Sequence, residues 1–124
     1  NSAKTVLLWN LALDQTDGPI NGGCSNCRGV VTVNSGNGAV TRNVEYYLLA
    51  HAGKFVQEGA VRIETPNTEG QGIHQVAFLN PDNSRVVLAF NDDINEKRLQ
   101  VTDNGESFVY TIAGGMLVTF VWEK

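Results

Sequence analysis

Val6-Leu7-Leu8-Trp9-Asn10-Leu11-Ala12-Leu13-Asp14 is an apolar run that ends in an aromatic and empties into a Gly/Pro loop. The loop carries Gly18-Pro19 and then Gly22-Gly23-Cys24-Ser25-Asn26-Cys27-Arg28-Gly29. From Thr5 to Leu13 there is little alternation, the pattern of a strand buried on both faces, and a strand of a parallel barrel has that character. Asp14 to Gly29 turns to Gly, Pro, Asn, Asp and Ser, a loop of about 15 residues, long enough to suggest a function beyond connection.

Working outward, Val30-Val31-Thr32-Val33 is a short strand closed by Asn34-Ser35-Gly36-Asn37-Gly38, whose Ser-Gly and Asn-Gly pairs signal a turn. It pairs with Ala39-Val40 as a small hairpin. Between Thr41 and Val56 the period changes to about 3.6, with Val40, Val44, Tyr47, Leu48, Ala52 and Phe55 on one face. This predicts one helix with Thr41 as N-cap and Gly59 as terminator, weakened by Gly53.

After Gly59 the chain reads as β. Val61 to Glu64 alternates, and Pro66 to Gly72 is a polar loop. Gln75–Asn80 and Arg85–Asn91 are joined by Pro81-Asp82-Asn83-Ser84, a type I turn composition, and so predict an antiparallel hairpin. Leu99–Thr102, Ser107–Ile112 and Met116–Trp122 follow, separated by Asp103-Asn104-Gly105-Glu106 and Ala113-Gly114-Gly115. Such spacing predicts an antiparallel β-sandwich with Val76, Phe78, Val87, Ala89, Phe108, Tyr110, Val118 and Phe120 turned inward. The fold class is therefore mainly β (α+β), a sandwich preceded by a TIM-barrel-derived strand, a small hairpin and one helix. Residues 1–58 read as barrel-derived and 59–124 as the sandwich.

At 124 residues the chain is one domain in size and about half of what a complete TIM barrel needs. Its formal charge is −4, and the few basic residues are scattered from Lys4 to Lys124, so the footprint of a nucleic-acid binder is absent. No apolar run approaches the roughly 20 residues that span a bilayer, and Asn1-Ser2-Ala3-Lys4 has no signal-peptide core behind it. The chain reads as soluble, a cut-out or mature piece of a longer precursor.

Six segments occur in an order and spacing that resemble the C-terminal region of glycoside hydrolase family 30. They are Trp9–Leu13 with Gly18-Pro19, Tyr46–Phe55, Gly59–Ile63, Val76–Asp82 and Thr119–Trp122. That family includes the glucosylceramidases and the microbial endo-β-1,6-glucanases. The resemblance covers the last barrel strand, the last helix and the β-sandwich. Retaining glycosidases need two carboxyl groups about 5–5.5 Å apart. In this family both are glutamates on barrel strands four and seven, which lie upstream of the region resembled here. No catalytic residue is carried over; Glu45, Glu58, Glu64, Asp92 and Asp93 read as solvated helix, strand or turn residues.

By the same resemblance Trp9 corresponds to the aromatic at the end of strand eight that walls the glucose subsite, and Asn10 could add one polar contact. Aromatic faces suit the apolar C–H face of a pyranose. The alternative is that Trp9 is a core aromatic beside Leu8 and Leu11. Cys24 and Cys27 form a C-x-x-C pair without a second pair or a nearby histidine, which would leave a zinc site half its ligands, and a thioredoxin-like role would want a helix N-terminus. The resemblance points to a local disulfide, as in the Cys-bearing loop of many microbial members, and so to a secreted or periplasmic protein. The human-type glucosylceramidases lack the pair.

His51 in the helix and His74 in a loop have no acidic or cysteine partner in pattern and read as structural or solvent-facing. Asn91-Asp92-Asp93-Ile94-Asn95 lacks the Gly and terminal Glu of a calcium loop and reads as a turn. No metal or cofactor is expected. The resemblance implies a C-terminal accessory region of a retaining β-glycosidase that supports and lines the active site without catalysing alone. Its partners would be the catalytic barrel of the same protein and a β-linked glucoside or glucan. The alternative is a stand-alone sandwich that binds glycans or proteins. An isolated Thr5–Leu13 strand and an uncovered helix face also predict self-association as a homo-oligomer, or docking onto the sandwich.

Overall fold

The computed structural model describes residues 5–66 and 70–123. The chain divides into two compact units, residues 1–50 and 51–124, and the division falls within the helix. The regular structure of the described residues is mostly antiparallel sheet with one helix, the sandwich class.

In the first unit β1 (Ala12–Leu13) pairs in parallel with β2 (Val31–Val33), and β2 pairs antiparallel with β3 (Val40–Arg42). The hairpin turn is fixed by Asn34, whose Oδ1 accepts from Gly36 N at 2.9 Å and Asn37 N at 3.2 Å. The strand expected over Thr5–Leu13 is reduced to its last two residues. Its backbone has only β2 to pair with among the described residues, and Val6, Leu7 and Leu11 are exposed.

The helix α1 spans Val44–Phe55. Thr41 is not its cap: it pairs with Thr32 inside β3, so the helix starts after Asn43, whose carbonyl accepts from Tyr46 N at 3.0 Å. None of the α1 residues is buried, and Tyr47 on the predicted apolar face is 53% exposed. Val44 and Leu48 of that face are exposed as well.

In the second unit β4 (Val61–Ile63), β5 (Ile73–Leu79), β6 (Arg85–Asn91) and β9 (Leu117–Trp122) form an antiparallel sheet in the order β4-β5-β6-β9. β7 (Lys97–Asp103) and β8 (Glu106–Ile112) form a second, two-stranded sheet. Ile73 and Ala89 of the first meet Leu99 and Ile112 of the second in the core, with Val101, Val118 and Phe120 packed around them. Phe108 and Tyr110, expected to turn inward, lie on the face of β8 that carries Ile112, with ring centroids 5.1 and 5.4 Å from Phe120, but both stay exposed, because this two-stranded sheet covers only part of the facing sheet.

Val76 and Phe78 do not face this core. Their partners across the ladder are Leu88 and Val86, whereas Ala77 sits opposite Val87 and Gln75 opposite Ala89. Directly opposed residues share a face, so β5 presents Ile73, Gln75 and Ala77 inward. The other face receives the end of α1, where His51 Nδ1 lies 2.7 Å from Thr119 Oγ1. Asn80 ties the helix end to the β5–β6 turn: its Nδ2 donates to Phe55 O and Ser84 Oγ, and its Oδ1 accepts from Gln57 N. The turn is a type I turn followed by Asn83 at φ 66°, the combination that keeps strand twist through a three-residue hairpin loop.

Candidate functional site

The first unit holds a cleft of about 550 Å³, and Trp9, Asn10, Cys24 and Cys27 all line it. Two backbone bonds build its floor: Val30 N donates to Asn10 O at 3.1 Å and Val31 N to Leu11 O at 3.0 Å. They continue the β1–β2 pairing backward, so the residue after Trp9 is held beside the residues after Arg28. Gly29 is required there, because a Cβ at that position would lie 2.9 Å from Leu13 N and Val31 O.

The loop leaving β1 is organised by Asp14. Its Oδ1 accepts from Thr16 Oγ1 at 2.7 Å and from the amides of Thr16 and Gly18, both at 2.8 Å. The Thr16 hydroxyl, with those amides, holds the Asp14 carboxyl below the usual aspartate range. Gly18-Pro19 is cis. The sulfurs of Cys24 and Cys27 are bonded, with the Cα atoms 5.6 Å apart.

Trp9 is 97% exposed, so its indole belongs to no core in the described chain. Asn10 beside it is half-buried. Sequence reasoning missed two further residues that line the same cleft: Arg28, next to the disulfide, and Glu45, in the first turn of α1. Arg28 Nη2 donates to Glu45 Oε1 at 2.8 Å, and that bond holds the Glu45 carboxyl below its ordinary range. The only signal in the chain was an acidic residue at a helix start, where it also suits the helix dipole.

The other sequence candidates do not join this cleft. His74 has a partner that the pattern did not show: its Nε2 lies 2.5 Å from Asp92 Oδ2, with its ring stacked on Phe90. The Asn91–Asn95 segment is a turn tied by Asn91, whose Nδ2 donates to Asn95 O, Ile112 O and Ala113 O. Among the described residues no group of three His, Cys, Asp or Glu could hold a metal ion. No described helix is long and apolar enough to cross a membrane.

A second hollow of about 550 Å³ lies in the sandwich, against Phe108, Trp122 and Asp103. Its central carboxylate is already engaged, with Arg85 Nε at 3.0 Å and Trp122 Nε1 at 3.2 Å on the same oxygen. The first cleft is the better candidate, since its aromatic is free.

Residues 59–120 match the model of the glycosyl hydrolase family 30 beta sandwich domain. The chain is 39% identical over 108 residues to the endo-1,6-beta-D-glucanase neg1 of Aspergillus fumigatus, a match covering 82% of this chain and 22% of that protein. It is 30% identical to the lysosomal acid glucosylceramidase of Mus musculus, covering 94% of this chain and 22% of that protein. The solved structure of the endo-beta1,6-glucanase BT3312 superimposes with a TM-score of 0.81 at 36% identity, over 94% of this chain and 26% of that one. The chain thus spans about a quarter of the length of the proteins it matches.

Proposed function

The chain belongs to glycoside hydrolase family 30, whose sandwich model covers half of it, and from that premise we propose that it is the C-terminal part of a retaining β-glycosidase acting on β-linked glucosides or glucans. Residues 59–124 are the accessory sandwich that supports the catalytic barrel. Residues 1–58 supply the last barrel strand, its loop and the last helix. The catalytic carboxylates lie in the remainder of the protein, which is the partner of the exposed Val6–Leu11 segment and of the apolar side of α1.

The observation that carries this reading is the free indole of Trp9 on the wall of the cleft, with Asn10 and the bonded Cys24–Cys27 loop around it. A flat aromatic beside polar groups is what a glucosyl ring needs: its C–H face packs on the indole and its hydroxyls find the rim. A disulfide in so short a loop fits a secreted or periplasmic enzyme. Without the barrel, the exposed apolar side chains of the first unit favour self-association.

The test is hydrolysis of an aryl β-glucoside and of a β-1,6-glucan by this chain and by the same chain extended upstream through its reading frame. The extended protein is expected to hydrolyse at least one of them and the 124-residue chain neither. In the extended protein Trp9→Ala is expected to lower kcat/KM at least about ten-fold, the equivalent of about 1.4 kcal/mol. Activity in the short chain, or full activity in the alanine variant, would sink the reading.

A further inference from the structure

We propose that Arg28 is a second sugar-binding residue of this cleft, a donor fork aimed by Glu45 that selects neutral glucosyl units over anionic ones. This rests on the reading of the cleft as a glucoside subsite. A guanidinium carries five N–H donors in a fixed plane. Here Nη2 is bonded to Glu45 Oε1 at 2.8 Å, which draws one edge of the fork toward the start of α1. The Arg28 side chain is still 49% exposed, so donors remain open to the cleft that Trp9 lines.

Glu45 Oε2 is buried without a partner, so Arg28 is the cation that neutralises this carboxylate. On its other side Arg28 is joined in the chain to Cys27 of the disulfide and to Gly29, whose backbone lies close against Leu13 and Val31. A donor held this way loses little freedom on meeting a hydroxyl or ring oxygen.

Charge decides which sugar. The ionisable side chains that line the cleft are Asp17, Arg28 and Glu45, which leave one negative charge over. With Glu45 bonded to Arg28 and Asp17 facing the same space, a uronate would meet a guanidinium already compensated and a carboxylate that repels it. A neutral sugar meets open donors on Arg28, acceptors on Asp17 and the face of Trp9.

The experiment uses the upstream-extended protein, with steady-state kinetics on a β-1,6-gluco-oligosaccharide and direct titration with that oligosaccharide and with a β-linked glucuronic acid oligosaccharide. Arg28→Met is expected to raise KM about ten-fold or more with kcat nearly unchanged, the order of one charge-assisted hydrogen bond. Arg28→Lys should fall between, because it keeps the charge and loses the fork. The double variant Arg28→Met/Glu45→Gln avoids leaving an unpaired buried carboxylate; with a wild-type melting temperature it should show the same KM defect.

If Trp9→Ala impairs the enzyme while the Arg28 variants keep a wild-type KM, this inference fails and the subsite reading stands. Tighter binding of the glucuronic acid oligosaccharide than of the neutral one also overturns it. If the extended wild type neither binds nor cleaves a β-glucan, the reading itself falls and takes this inference with it.

Discussion

The two units of this chain both pair strands, shorter ones in the first than in the second, and differ most in what they do with apolar side chains. Residues 51–124 close a core in which Ala89 and Ile112 have no exposed surface. Residues 1–50 pair three short strands around the hairpin, yet leave Leu7 and Trp9 almost fully outside and Leu11 largely so, and among the described apolar side chains bury only Leu13 and Val30. Local pairing is thus satisfied in both, whereas burial, the term proportional to apolar area removed from water, is satisfied in one. The lesson is that ordered backbone in the first unit reports turn chemistry and strand pairing, while stability resides in the second.

The sharpest way to break that comparison is to empty the core. Ile112→Ala is expected to destabilise residues 51–124 by about 2–5 kcal/mol, the range for truncating a fully buried aliphatic chain. Leu7→Ala, at an equally apolar but exposed position, should stay within about 0.5 kcal/mol of wild type. Urea unfolding followed by circular dichroism measures both; a Leu7 effect as large as that of Ile112 would mean that the first unit also owns a core.

A step smaller is the buried amide at Asn91. Its Nδ2 serves three carbonyls and its Oδ1 accepts from Asp93 N, so Asn91→Ala leaves several buried polar groups unpaired. The expected loss is about 1–3 kcal/mol, read in the same unfolding curves. Asn91→Asp should not rescue it, since a carboxylate facing three carbonyl oxygens offers no donor.

The comparison also explains how much was legible in the sequence. The β5–β6 hairpin, its turn, the β7–β8 pair and β9 follow from alternation and turn residues, because each is completed by neighbours close in the chain. The phase of β5 did not: Ile73 and Ala77 on one side and Val76 and Phe78 on the other are both apolar, so alternation could not choose. The register with Val87 and Ala89 of β6 chose for it. The Thr5–Leu13 run reads as a full strand, of which only Ala12–Leu13 forms, and the Val44, Tyr47 and Leu48 face, which reads as needing a partner, is exposed, since neither meets a covering layer among the described residues.

For the site, the same resemblance that singled out Trp9 and Asn10 was silent about Arg28 and Glu45. These two are 17 residues apart, and their pairing depends on where the hairpin returns the chain to the start of α1. No periodicity encodes such a contact. Asn80 and Asn91 were hidden for a related reason: an Asn at a strand end reads as a turn residue, and only the packed sheets show that its amide is the knot.

The smallest expected effect is the response to acid, and it touches both units. Asp14 in the first and Asp82 and Asp93 in the second each accept from amides or hydroxyls of their own loops. The leading causes are the Thr16 hydroxyl for Asp14, the Ser84 hydroxyl for Asp82 and the Asn95 amide for Asp93, and each carboxyl is held below the ordinary value of about 4. A folded-state value below the unfolded one means stability that is complete above about pH 4 and lost as pH falls through the lowered values, since the unfolded chain then binds protons first. All three carboxyls are solvent-accessible, so the loss should be modest and gradual. Melting curves between pH 6 and pH 2 should therefore be flat down to about pH 4 and decline below it. Asp82→Asn and Asp93→Asn should each flatten the decline for the sandwich, and Asp14→Asn should leave the sandwich transition unchanged, because that aspartate organises a loop in the unit that carries little of the burial. A flat profile to pH 2 would show that these turn bonds survive protonation and that the acid response lies elsewhere.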